Sequence, residues 1–187
     1  MHGPALAGWL LVALCAATGA YCLLRMRSSL AQQRDTAGGE ALMGFGMALM
    51  AVPAAVAGPP RWAWFGYAVV FGAAALRALW SARRSAHHLH HLVGALAMVY
   101  MSVAMAVVPG GHAGHGGPAG VPLVTGLLLV YFAAYVLHSG TRLAPATATG
   151  TAGVGGGGGQ AWGDRVELAL ACRLSMGIGM CAMLLTM

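Results

Sequence analysis

Residues Leu89–Val108, LHHLVGALAMVYMSVAMAVV, run for twenty positions without an Asp, Glu, Lys or Arg. A helix rising about 1.5 Å per residue carries such a stretch through about 30 Å, the thickness of a bilayer's hydrocarbon core. Five further segments approach or meet that length: Pro4 to about Met26, Ala41 to about Ala57, Trp62–Trp80, Val121–His138 and Val166–Met187. Composition agrees. The 187 residues are 59% hydrophobic and 7% charged, with a mean hydropathy of +0.73, whereas soluble domains are about 25% charged. Ten basic residues, all Arg, and four acids are too few to solvate the surface of a chain this long, so that surface meets lipid. The same apolar content excludes a disordered chain. Backbone in lipid must satisfy its own hydrogen bonds, which selects helices, and the runs lack the period-two alternation of a barrel. The expected fold is all-α: a polytopic transmembrane helical bundle of six helices, or five if the short second segment, which Pro53 would end or kink, does not cross.

The arginines orient this bundle. Arg25, Arg27 and Arg34 fall in or beside the first connection, Arg77, Arg83 and Arg84 flank the third, and Arg142 and Arg165 flank the fifth; the second holds Arg61 and the fourth no charge. Positive charge stays on the cytoplasmic side, so the odd connections are expected inside and both termini outside the plasma membrane. The first apolar run lacks basic residues before it, unlike a cleaved signal peptide, and reads as a retained helix. The whole chain, 1–187, is expected to be one transmembrane domain. Its fifth connection, about 139–163, holds Ala144-Pro-Ala-Thr-Ala-Thr149 and the run Gly155–Gly159, and reads as a flexible cytoplasmic linker. The pI of about 9.7 reflects arginines at helix ends, which meet anionic lipid; lipid is the expected partner and nucleic acid is not. Cys15, Cys22, Cys172 and Cys181 all lie within apolar spans, as small packing residues rather than a disulfide framework.

One motif occurs twice. Met43-Gly-Phe-Gly-Met-Ala-Leu-Met50 and Met176-Gly-Ile-Gly-Met-Cys-Ala-Met183 both read M-G-x-G-M-x-x-M, the first in the second span and the other in the sixth. Their methionines, at offsets 0, 4 and 7, share one helix face. Met98, Met101 and Met105 do the same in the fourth span. Ten of the twelve methionines lie on these three even-numbered helices, and the nine of the three ladders stand at matching distances from Pro53, Pro109 and Met187. Two readings follow. Met fills irregular gaps, and Gly44 with Ala48 or Gly177 with Cys181 permits close helix contact, within the chain or with a second copy or another membrane chain. Alternatively, the columns Met43/Met47/Met50, Met98/Met101/Met105 and Met176/Met180/Met183 hold or pass Cu(I), a soft cation that prefers thioether and thiolate ligands.

Histidines mark both mouths. His87-His88-Leu89-His90-His91 begins the fourth helix on the cytoplasmic side, His87 and His91 being i, i+4 partners with metal-ligand spacing, and His138 ends the fifth helix on that side. His112 and His115 lie in the outer loop. In the copper reading the outer pair captures the ion, the ladders pass it, and His87, His91 and His138 receive it. In the other reading all are solvated or meet headgroups. His-x-x-His-His also occurs in membrane di-iron oxygenases, which need several such boxes where this chain has one. A bis-histidine haem would pair His90 or His91 with His138. No catalytic constellation stands out. Glu40 is expected to cap the second helix, Arg77 and Arg173 to snorkel to the inner surface, and Glu167 and Arg173 to find partners on other helices.

Glu40-Ala-Leu-Met-Gly-Phe-Gly-Met-Ala-Leu-Met50, the His-rich start of the fourth span, and Cys172-Arg-Leu-Ser-Met-Gly-Ile-Gly-Met-Cys-Ala-Met183 together resemble an actinobacterial membrane-protein family, domain-of-unknown-function family 5134, over nearly the whole chain. The resemblance implies a small plasma-membrane protein of five or six helices. It supplies no activity, substrate or cofactor.

Overall fold

The computed structural model describes residues 3–27, 31–52, 56, 59–82, 89–107, 120–150 and 166–187, and among them there is no strand. Among the described residues six helices follow one another: α1 (Gly3–Arg25), α2 (Ala31–Met50), α3 (Arg61–Ala82), α4 (Leu89–Val107), α5 (Pro122–Gly150) and α6 (Val166–Leu185). Five contain stretches long and apolar enough to cross a membrane: Leu6–Arg25, Arg61–Ser81, Leu89–Val107, Pro122–Thr141 and Leu168–Leu185. Polar side chains within them are answered locally. Thr18 Oγ1 donates to Leu14 O at 2.8 Å, Ser102 Oγ to Met98 O at 2.7 Å and Ser175 Oγ to Ala171 O at 2.9 Å, so these three hydroxyls are satisfied within their own helices.

The remaining helix, α2, departs from expectation. Its apolar segment was expected over Ala41–Ala57, but the helix starts at Ala31 and ends at Met50. The first half, AQQRDTAGGE, is polar and still helical. The apolar half, 41–50, is about 15 Å long, half the depth of a hydrocarbon core. Glu40 therefore lies mid-helix, where it cannot cap the N-terminus. The fifth connection also differs: α5 continues through Gly150, so the linker expected at about 139–163 is helical up to that residue, and 151–163 lie outside the described residues.

Three antiparallel hairpins build the bundle. Cys22 faces Glu40 and Gly19 faces Gly44 across α1 and α2; Arg61 Nε donates to Ala106 O at 3.2 Å across α3 and α4; Gly177 of α6 packs on Tyr135 and Val136 of α5. Between hairpins, α4 runs antiparallel to α5, with His90 beside Tyr131 at one end and Tyr100 beside Thr125 at the other. The second contact is a pin. Tyr100 Oη accepts from Val121 N at 2.7 Å and lies 2.8 Å from Thr125 Oγ1; Gly120, at φ +119°, supplies the left-handed turn that a side chain would resist. The even helices α2, α4 and α6 thus run parallel and are innermost. Leu10, Val69, Leu76, Leu123, Val130 and Leu137 point outward, and Trp62 and Trp80 are exposed at opposite ends of α3, the positions at which indole anchors a helix in the two interfaces.

Candidate functional site

The two copies of the methionine motif stand side by side in register. Arg173, three residues before the second copy, donates through Nε to Oε1 of Glu40, three residues before the first, at 2.8 Å and a sequence separation of 133. The same offset of 133 relates Met43 to Met176, Met47 to Met180 and Met50 to Met183 along the sequence. α4 joins them with Met98 beside Gly46, and Met43 and Met180 meeting over Gly94: a Cβ on Gly94 would lie 3.0 Å from Met43 Sδ and 4.0 Å from Met180 Cε. Three methionine columns therefore converge on one core. Met43, Met101, Met176 and Met183 are buried, and Met47, Met98 and Met180, one from each inner helix, are 0%, 0% and 1% exposed. Met50 and Met105 are half-buried at the far end. Cys15 of α1 closes the side, since Cys15 Sγ and Met47 Sδ both approach Gly179, at 3.4 and 3.6 Å from the position of a Cβ there.

At the base of these columns lies an ion cluster. Glu40 is 0% exposed. Its Oε2 accepts from Arg25 Nη1 at 2.7 Å and from Cys22 Sγ at 3.7 Å, while Oε1 takes Arg173. Arg25 is buried with it, and Arg173 is partly exposed. Charge-assisted hydrogen bonds on both oxygens compensate the desolvation of a carboxylate that would otherwise be prohibitive at this depth. Arg25 Nε finds no acceptor among the described residues. Cys172 of α6 lies beside Cys22, so two thiols from two helices stand near the carboxylate.

This cluster corrects two expectations and was not anticipated as a unit. Arg173 does not snorkel; its guanidinium turns inward to Oε1 of Glu40, the partner on another helix that was expected, and so satisfies the second oxygen of a fully buried carboxylate. Glu40 bonds side chains of two other helices rather than its own N-terminus. The available signal was the motif itself, which carries an acid and a base at the same preceding position.

The histidines are scattered by comparison. His90 stacks on Tyr135, with ring centroids 3.7 Å apart and planes 9° from parallel, and its Nδ1 lies 3.3 Å from Tyr131 Oη; His91 is half-buried and His138 exposed. His87, His112 and His115 lie outside the described residues. Among the described residues no three His, Cys, Asp or Glu side chains gather as a metal site. No curated protein and no solved structure matches the chain. Residues 32–187, from α2 through α6, match the family described as Domain of unknown function (DUF5134), and this six-helix membrane protein, with a methionine core above a buried Arg25–Glu40–Arg173 cluster, belongs to that family.

Proposed function

We propose that the chain is a multi-pass plasma-membrane protein, with both termini outside, that holds Cu(I) among its thioethers. One observation carries this reading: Met47, Met98 and Met180 come from three parallel helices and are all fully buried in one core. Three thioethers suit a soft, monovalent cation with no need of charged ligands. Met43, Met50, Met101, Met105, Met176 and Met183 extend the same donors along the bundle axis, as a path rather than a single point. His112 and His115 at the outer mouth, and His87, His91 and His138 at the inner one, are the donors from which such an ion arrives and to which it leaves. The orientation rests on the arginine bias, eight flanking the odd connections against one in the second.

The test is Cu(I) stoichiometry of anaerobically purified protein, compared with Met47→Leu, Met98→Leu and Met180→Leu singly and together. Leu conserves volume, so stability should fall by less than about 1.5 kcal/mol per site while the copper held by thioethers is lost in the triple variant, lowering the stoichiometry below that of the parent. Unchanged copper, or no copper in the parent protein, defeats the reading. A metal-free scaffold then takes its place, in which Met is core filler; the seven buried methionines within one apolar cluster favour that second reading. Bound iron or zinc would instead revive the haem or metal-enzyme reading.

A further inference from the structure

The ion cluster at the base has a charge imbalance. Among the described residues two guanidiniums, Arg25 and Arg173, meet one carboxylate, Glu40, an excess of one positive charge beside a fully buried acid. The thiols of Cys22 and Cys172 lie beside it, as does Tyr135 near Glu40 and Arg173. Cys22 is fully buried and lies 3.7 Å from Glu40 Oε2; Cys172, next to Arg173 in sequence, reaches Cys22 across the α1–α6 interface. The antiparallel register that brings Cys15 to Gly179 brings Cys22 to Cys172 two turns further along, so the pair is fixed by helix packing and not by loops. Arg25 Nε, inside the same cluster, has a proton and no acceptor among the described residues.

We infer that Cys22 and Cys172 form a two-coordinate dithiolate site for a soft monovalent cation, Cu(I), at the base of the methionine columns, with Arg25, Arg173 and Glu40 as its charge-balancing frame. Thiolate is the metal-binding form of cysteine, and the reaction is Cu⁺ + 2 RSH → [Cu(SR)₂]⁻ + 2 H⁺, with both protons released to solvent and no change in oxidation state. The bis-thiolate unit carries one negative charge, which cancels the single excess positive charge of the frame. The loaded cluster is therefore neutral, and a thiolate beside Arg25 gives its Nε an acceptor. A two-donor site also agrees with the absence, among the described residues, of any three-donor His, Cys, Asp or Glu group. The choice of cation rests on the copper reading of the chain; the ligands do not, being different residues at a different depth.

Proton release separates the two sites in the unaltered protein. Thioethers bind Cu(I) without losing a proton, whereas the dithiol loses two per ion. Cu(I) is titrated anaerobically, from its acetonitrile complex, into detergent-purified full-length protein held reduced, and base uptake at constant pH is recorded. The expected result is two protons per ion in the first equivalent, lost in Cys22→Ser and in Cys172→Ser together with at least a tenfold loss of affinity against bicinchoninate. Cys181→Ser and the Met47/Met98/Met180→Leu triple variant should retain both. Binding without proton release, abolished by the Met changes alone, overturns the dithiol site and leaves the thioether centre standing. Proton-coupled binding that ignores the Met changes does the reverse. No binding by the parent protein overturns both, and a serine variant that binds like the parent overturns the dithiol site whatever its fold.

Discussion

In α2 the first glycine of the motif, Gly44, meets backbone: a Cβ there would lie 3.0 Å from Gly19 Cα and N and 3.1 Å from Cys15 O. Its counterpart in α6, Gly177, meets side chains, Val136 Cγ2 at 2.8 Å and Tyr135 beyond it. The second glycines differ as well. Gly46 is sealed by the ring of Phe71 and by Met98 Cε, whereas a Cβ on Gly179 would make only ordinary contacts at 3.4 Å and beyond. The preceding charges differ in setting too, Glu40 being sealed and Arg173 retaining 24% of its side-chain exposure. One eight-residue pattern thus sets two parallel helices in register, but its tightness is imposed by what each helix faces. α2 is wedged against a hairpin partner with its own glycine and against the α3–α4 pair. α6 leans on bulkier, more adjustable neighbours.

The largest test of that contrast is Glu40→Gln. It leaves two guanidiniums facing an uncharged amide, and breaking a buried ionic cluster costs about 3–5 kcal/mol; unfolding of the detergent-solubilised protein in SDS should show it. Arg173→Gln should cost less, about 1.5–3 kcal/mol, because Glu40 keeps Arg25. Equal losses for the two would mean that the acid and the base at this position of the repeat are equivalent, against their unequal burial. Next come the glycines. Gly46→Ala forces Phe71 to move and should destabilise by about 1–3 kcal/mol. Gly179→Ala, the matched change in α6, should shift stability by no more than about 1 kcal/mol, toward the helix-favouring alanine. If Gly179→Ala proves as harmful as Gly46→Ala in the same thermal scan, the two copies are packed alike and the contrast collapses.

Much of the fold was legible because lipid imposes a simple rule on sequence. Long uncharged runs had to be helices, and α1, α3, α4 and α6 begin or end within a few residues of the expected limits. α2 was misread because hydropathy reports the surroundings of a helix and not helicity itself: Ala31–Gly39 is polar, yet Ala, Gln and Arg propagate a helix well. The convergence of the methionine faces followed from spacings of three and four. The Arg25–Glu40–Arg173 cluster did not, since spacing within a helix cannot reveal which side chain of a helix 133 residues away stands opposite. The matched positions of Glu40 and Arg173 relative to the two motif copies hinted at it, as did the expectation that Arg173 pairs with another helix.

The position of Arg173 bears on how the protein is made. Domains and hairpins assemble in chain order during synthesis, so α1 and α2 meet first, and Arg25 can neutralise Glu40 as that hairpin inserts. α6 emerges more than a hundred residues later bearing a guanidinium seven positions inside the helix, a burden for a segment inserting by itself. Its carboxylate is already waiting, fixed in the first hairpin, as the receptor that the late helix must reach. Completion of the bundle is then reported by a single ionic contact: a chain whose α6 has failed to dock exposes both an unpaired Arg173 and a Glu40 with only one of its two bases, and the membrane tolerates neither for long.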